Sequence, residues 1–186
     1  MAFWSDPSLD PKRAFKFKVT FGYLNSSGTG TDSTFLAQTA DRPVYTITDT
    51  TKIDYLDKQF HFPGKISWNQ VKIKFVDTVG AGATNVSKRS YDFLTAAGWV
   101  NPQNAGPQTG AAQMATISKA KSVSATRSVQ IDVLDSEGRA VDQWTLRNAF
   151  IATVSLNPLS YASEEVLTAE YTFRYDWADF FSPQFT

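Results

Sequence analysis

The sequence has no cysteine and a single histidine, His61. Without cysteine there is no disulfide, no thiolate metal ligand and no cysteine nucleophile. One imidazole cannot build a zinc site or a catalytic constellation by itself. His61 lies between Phe60 and Phe62, where a strand residue of intermediate polarity is the ordinary reading. Charge of either sign is not in excess: 18 basic residues balance 18 acidic ones. No polybasic field exists to hold phosphates, which argues against stable nucleic-acid binding. No apolar run approaches the roughly 18 residues of a spanning helix, so membrane insertion is not expected. The opening Met1-Ala-Phe-Trp-Ser-Asp-Pro7 has neither the basic nor the apolar region of a secretory signal, and the chain is expected to be made and assembled in the cytoplasm.

Catalytic motifs are equally scarce. Gly80-Ala-Gly82 lacks the third glycine and the βαβ setting of a dinucleotide loop, and no Gly-x-Ser-x-Gly elbow is present. Two carboxylate pairs occur. Asp54 and Asp57 are interleaved with Lys52 and Lys58, which reads as a solvated or interfacial face, and Glu164 and Glu165 follow a turn. No catalytic, metal-binding or cofactor-binding residue emerges, and the expectation is a protein that is not an enzyme and carries no cofactor.

Aromatic residues are what the chain has in quantity: 14 Phe, 7 Tyr and 5 Trp among 186 residues. Flat rings pack well on pleated, half-buried surfaces, so this composition leans towards strands and interfaces. The length suits one domain, expected over 1–186, that buries about 70% of the surface of its unfolded chain. Zero net charge also removes the long-range repulsion between copies.

Alternation is strong over 15–23, where Phe15, Phe17, Val19, Phe21 and Tyr23 interleave with Lys16, Lys18, Thr20 and Gly22. After a Gly/Ser-rich turn, 35–40 reads as a short strand. Val44 to Thr48 and Lys52 to Phe62 read as two β arms around Asp49-Thr-Thr51, closed by Pro63-Gly64. Charges of both signs in the second arm suggest a ribbon that leaves the core and finds its partners elsewhere, since an isolated hairpin is marginal in water. A strand follows from Trp68 to Val76. The one helix signal starts at Asn85 or Ser87, with Tyr91, Leu94 and Thr95 as its inner face, and stops at Gly98. Residues 98–112 form a long Gly/Pro loop.

The last third is β again. Val129, Ile131 and Val133 alternate, and Asp135-Ser-Glu-Gly138 supplies a hairpin turn. Strands follow from Ala140 to Leu146 and from Phe150 to Leu156, with a break at Asn157 to Tyr161. Then Leu167, Ala169, Tyr171, Phe173, Tyr175 and Trp177 share one face. The expected fold is mainly β: a single antiparallel β-barrel or sandwich with one flanking α-helix and an extended β-hairpin arm over 44–62. Candidate inter-subunit residues on the arm are Tyr45, Ile47, Lys52, Asp54, Tyr55, Asp57 and Lys58. Candidate terminal contacts are Phe3, Trp4, Phe180 and Phe181.

The order of these features resembles the tail tube proteins of contractile-tailed bacteriophages, which share a fold with the Hcp tube of type VI secretion. The resemblance runs from about Phe15 to Phe180. It rests on Ala14 to Phe21, on Ala37-Gln-Thr-Ala-Asp-Arg-Pro-Val44, on Phe60 to Phe75 and on the helix segment Ser90 to Leu94. It continues through Trp144 to Phe150, Leu156-Asn-Pro-Leu-Ser-Tyr161 and Leu167 to Trp177. The resemblance implies hexameric rings whose inner strands join into one barrel, and rings that stack into a tube with the arm reaching a neighbouring ring. It further implies a passive conduit in the virion tail through which DNA passes transiently. The implied partners are other copies of the chain, a tail sheath protein, a baseplate tube initiator and a tail terminator. A tube initiator of the same fold and a carbohydrate-binding β module remain as alternatives.

Overall fold

The computed structural model describes residues 11–22, 37–79, 85–101, 116–162 and 164–182. Three antiparallel sheets and two helices make up this part. The first sheet has the order β1 (Phe17–Phe21), β6 (Val129–Leu134), β7 (Ala140–Arg147), β10 (Trp177–Phe181). The second has the order β2 (Ala37–Ala40), β5 (Val71–Val76), β9 (Thr168–Arg174), β8 (Phe150–Leu156). The remaining strands, β3 (Tyr45–Tyr55) and β4 (Lys58–Trp68), pair only with each other. The helices are α1 (Val86–Ala96) and α2 (Lys119–Thr126).

Alternation explains the strands. In β5, Val71, Ile73 and Phe75 are fully buried while Lys72 is exposed. In β1, Val19 and Phe21 point the same way, and their partners across the ladder are Ile131 and Val129. A period of two puts one face of each strand in water and the other in the core. The two inner faces meet through rings. Phe21 of the first sheet touches Phe173 edge-on at 5.2 Å, and it also lies 6.1 Å from Phe75 and 6.2 Å from Tyr171 of the second. Such edge and offset contacts add about 0.5–1.5 kcal/mol per pair beyond the apolar area they bury.

The result is a two-sheet sandwich, and the described strands do not close into a barrel. The turn at Asp135 to Gly138 forms as expected, with φ of 80° at Gly138, a left-handed conformation that a side chain would strain. The Asp135 carboxylate accepts from the amides of Glu137 and Arg139, both at 2.8 Å.

Several expectations are corrected. The described residues form two helices, not one. α2 escaped notice because Lys119 to Thr126 has no apolar stripe; its only signal is the cap Ser118, whose side chain accepts from the Lys121 amide at 3.3 Å. The inner face of α1 is Val86, Arg89 and Phe93, whereas Tyr91 and Leu94 are exposed. Asn85 is its cap, as anticipated, and Asp77 secures the start, accepting from the Val86 amide at 2.8 Å and from the Ser87 hydroxyl. An acid at a helix N-terminus satisfies unpaired amides and meets the positive end of the dipole. Tyr171 donates to the Val86 carbonyl at 2.9 Å, so the helix start is tied to the core.

The run 167–177 is not one strand. It breaks at Tyr175-Asp176, and β10 crosses to the other sheet to pair with β7. Phe15 lies before β1 and is exposed. Tyr23 and most of the 98–112 loop lie outside the described residues. Among the described residues, no helix is long and apolar enough to cross a membrane.

Phe173 is fully buried in the aromatic layer, and Phe173→Ala is expected to cost about 3–5 kcal/mol, checked by urea unfolding. Tyr175 presents the opposite case. Its hydroxyl is buried without a hydrogen-bond partner among the described residues, and burial pushes its pKa up to about 12. Removing an unsatisfied polar atom removes its desolvation penalty, so Tyr175→Phe is expected to leave stability unchanged or raise it by up to about 1–3 kcal/mol in the same assay.

Candidate assembly interface

The arm is longer than its sequence suggested, and its turn is elsewhere. β3 and β4 pair from Tyr45↔Trp68 to Tyr55↔Lys58, so the chain reverses at Leu56-Asp57 and not at Asp49 to Thr51. Leu56 takes a left-handed φ of 55° there. Pro63 and Gly64 lie inside β4 and do not end it. Proline has no N–H to give the ladder, and the register shifts on both sides of Asp49↔Pro63 absorb it as paired irregularities. Trp68 is the last residue of β4, and the next strand starts at Val71.

Because the irregularities offset one another, the faces stay in phase along the hairpin. One face carries Tyr45 opposite Trp68, Ile47 opposite Ile66, and Ile53 opposite Phe60, with Tyr55 and Phe62 beside them. The other carries Thr46 opposite Ser67, Lys52 opposite His61, and Asp54 opposite Gln59. With the turn at Leu56, apolar and polar residues alternate through Ile53-Asp54-Tyr55 and Gln59-Phe60-His61-Phe62. Tyr45, Ile47, Ile53, Tyr55, Phe60, Phe62 and Ile66 are nonetheless exposed, as is the tip residue Leu56. A contiguous apolar row on a two-stranded ribbon marks an interaction surface, since such a ribbon has no layer of its own to cover it.

The base of the arm is fixed. The Asn69 amide donates to the Val44 carbonyl at 2.8 Å, and the Asp41 amide to the Lys72 carbonyl at 2.9 Å. Trp68 meets Tyr45 edge-on at 5.4 Å and Tyr175 at 6.0 Å.

The structure therefore brings all seven candidate arm residues onto one hairpin but splits them. Tyr45, Ile47 and Tyr55 share the apolar face with Lys58, Lys52 and Asp54 lie on the polar face, and Asp57 is in the turn. Phe180 and Phe181 are not beyond the fold. They lie in β10, where Phe180 is opposite Trp144 with rings 4.7 Å apart and Phe181 is opposite Gln143. Both remain half exposed. Phe3 and Trp4 lie outside the described residues.

β1 and β10 are the two edges of the first sheet. Its outward face mixes charges of both signs with the half-exposed Trp177 and Phe181. Lys18 lies opposite Asp132, which accepts from the Gln130 amide, and Arg147 donates to Asp179 of β10 at 2.5 Å. The segment leading into β10 is anchored at Asp176, whose carboxylate accepts from Lys119 at 2.7 and 2.8 Å and from Asn148 at 2.8 Å. As for the groups weighed for chemistry, His61 faces a lysine across the hairpin, and Asp54 and Asp57 occupy a strand and a turn.

No protein-family model and no curated protein sequence matches the chain. Its fold does match solved structures. A chain of the cap that terminates the anti-feeding prophage tube aligns with a TM-score of 0.62 at 16% identity, covering 98% of this chain and 99% of that one. A chain from the sheath–tube complex of the PVC extracellular contractile injection system, in its extended state, aligns with a TM-score of 0.59 at 14% identity, covering 92% of each. A chain from the anti-feeding prophage baseplate gives 0.56 at 12%, covering 93% and 97%. The chain thus has the fold found in the tube assemblies of contractile injection systems, the fold class that the sequence resemblance implied.

Lys119 and Asn148 hold the Asp176 carboxyl below its usual range, with the Lys119 hydrogen bond the larger cause. A carboxyl whose folded pKa is depressed stabilises the fold above its unfolded value, about 3.9, and loses that contribution as pH falls through the folded value. Lys119→Ala is therefore expected to destabilise modestly at neutral pH and not at all in strong acid, with the gap narrowing as salt screens this exposed pair. Denaturant melts of both proteins at the two pH values check this.

Proposed function

We propose that this chain is the structural subunit of a tail tube and that residues 1–186 act as one tube-like domain. Copies form hexameric rings, the rings stack, and the bore carries DNA through the host envelope when a surrounding sheath contracts. The subunit is assembled in the host cytoplasm and works in the virion tail. It works as a scaffold and not as a catalyst.

The observation that carries this reading is the direction of the two edges of the first sheet. Three antiparallel steps separate β1 from β10, so the edges run in opposite senses. A copy rotated about a ring axis therefore lays its β1 antiparallel to its neighbour's β10, and the sheet continues from copy to copy until it closes. Closure pairs the edge amides and carbonyls that would otherwise template uncontrolled association. It also covers Phe180 and Phe181, with Phe3 and Trp4 as further terminal contacts. The outward face of this sheet then lines the bore, and its interspersed Lys18, Arg147 and Asp179 let DNA slide without the phosphate-by-phosphate neutralisation that would hold it.

The exposed apolar face of the arm supports stacking. Tyr45, Ile47 and Tyr55 reach the next ring, and Lys52, Asp54, Asp57 and Lys58 set its register. The structural neighbours come from a sheath–tube complex, a six-fold symmetrised baseplate and a terminating cap. By analogy, the partners here are a sheath, a baseplate initiator and a terminator. The baseplate neighbour also sustains the alternative that this chain is itself the tube initiator, which forms one ring and nucleates another protein's polymer.

Negative-stain microscopy of the purified chain separates the readings. A tube subunit gives rings and long tubes, an initiator gives single rings, and a carbohydrate-binding module gives neither but binds glycans in calorimetry. Replacing 52–61, whose ends flank the paired residues Thr51 and Phe62, by Asn-Gly shortens the hairpin without disturbing its base. The shortened protein is expected to fold and to form no tubes. Long tubes from it would show that the arm does not mediate stacking.

A further inference from the structure

The arm and a second exposed apolar feature lie at opposite ends of the second sheet. The arm leaves the end marked by Ala40, Val71 and Phe173, through the links 41–44 and 69–70. At the other end, Val76 pairs with Thr168 and Leu156 with Ala169, and there the segment 157–167 joins β8 to β9. The ends are about 17 Å apart at ~3.4 Å per residue along β5. The stretches 157–161 and 165–167 wall an open depression of about 540 Å³. Leu159, Tyr161, Val166 and Leu167 line it, and all four are exposed, Leu159 at 82%. The depression is held firmly to the sheet: the Asn157 amide donates to Thr168 at 3.2 Å, and the Asp77 amide to Leu167 at 2.9 Å.

The charges of the two features match. Among the described residues lining the depression, the charged one is Glu165. Among the described side chains on the apolar face of the arm, the only charged one is Lys58, beside the tip. One carboxylate in an apolar groove and one ammonium on an apolar ribbon fix both position and polarity of docking.

We infer that the depression formed by 157–161 and 165–167 is the receptor for the arm of a second copy of this chain, with Leu56 and Phe60 seated on Leu159 and Tyr161 and Lys58 meeting Glu165. This rests on the tube reading and adds to it the surface that receives the arm. Because donor and receptor lie at opposite ends of one sheet, each copy offers both, and the contact repeats head to tail without closing on itself.

The chain has no cysteine, so introduced thiols are the only ones present. The full-length double variant Lys58→Cys with Glu165→Cys, assembled and treated with a short bis-maleimide, is expected to give a denaturation-resistant ladder of trimers and longer species. Each single variant is expected to give nothing beyond a dimer. Tubes that form but yield no ladder would overturn the inference and leave the tube reading intact. A wild-type chain that neither rings nor polymerises at high concentration would overturn both. If the thiol variant itself fails to assemble, charge reversal decides the matter. Lys58→Glu and Glu165→Lys should each lower tube yield and together restore it; a double variant no better than either single one would sink the inference.

Discussion

The molecule depends on one layer of rings. Phe21 on the first sheet stands against Phe75, Tyr171 and Phe173 on the second, and these four are the largest fully buried side chains among the described residues. Aromatic pairs fix relative orientation more narrowly than aliphatic ones, because edge-on and offset geometries are favoured over others. With the sheets fixed in this way, their edges and ends have defined positions in space. The outer face of the first sheet is free to be polar, the arm leaves at a set angle, and Tyr171 reaches past the sheet to pin the start of α1. Interior packing thus sets the positions of the features proposed for assembly.

How far this was legible in the sequence depended on how local each signal was. β5 and β6 could be read because alternation is a property of neighbouring residues, and Gly138 because its backbone conformation excludes side chains. The break at Tyr175-Asp176 could not, because the alternation of Leu167 to Trp177 runs straight across it. Only the partners differ, Phe150 to Leu156 before the break and Gln143 to Arg147 after it. The inner face of α1 was missed by a single residue. Phe93, not Leu94, is in phase with Val86 and Arg89, and choosing between them requires knowing which side the core is on. α2 has no apolar stripe to betray it, since its burial is of small residues such as Ser122 and Ala125.

The arm failed in a more instructive way. Its existence and its base were visible, but Asp49-Thr-Thr51 is a better turn on composition than Leu56-Asp57, and Pro63 looks like an ending. Pairing overrode both, because the register that matches Ile53 with Phe60 and Ile47 with Ile66 keeps the aliphatic and aromatic side chains together. The depression at 157–167 left no trace beyond a break in a strand. A surface assembled from the two ends of a loop has no periodicity to detect.

The corner at Tyr175-Asp176 has a mechanical meaning. The arm springs from one end of the second sheet and the ring edges belong to the first, so in the proposed tube axial tension enters through one sheet and hoop tension through the other. The chain passes from β9 to β10 in two residues, with Asp176 clamped by Lys119 and Asn148 and Tyr175 wedged against Trp68 at the arm's root. In the proposed tube, a tug on the arm is thereby delivered to the ring wall over a very short, braced lever. The same layer that makes the subunit fold makes it stiff in shear, and a thrust along the axis moves the wall as a unit instead of sliding one sheet over the other.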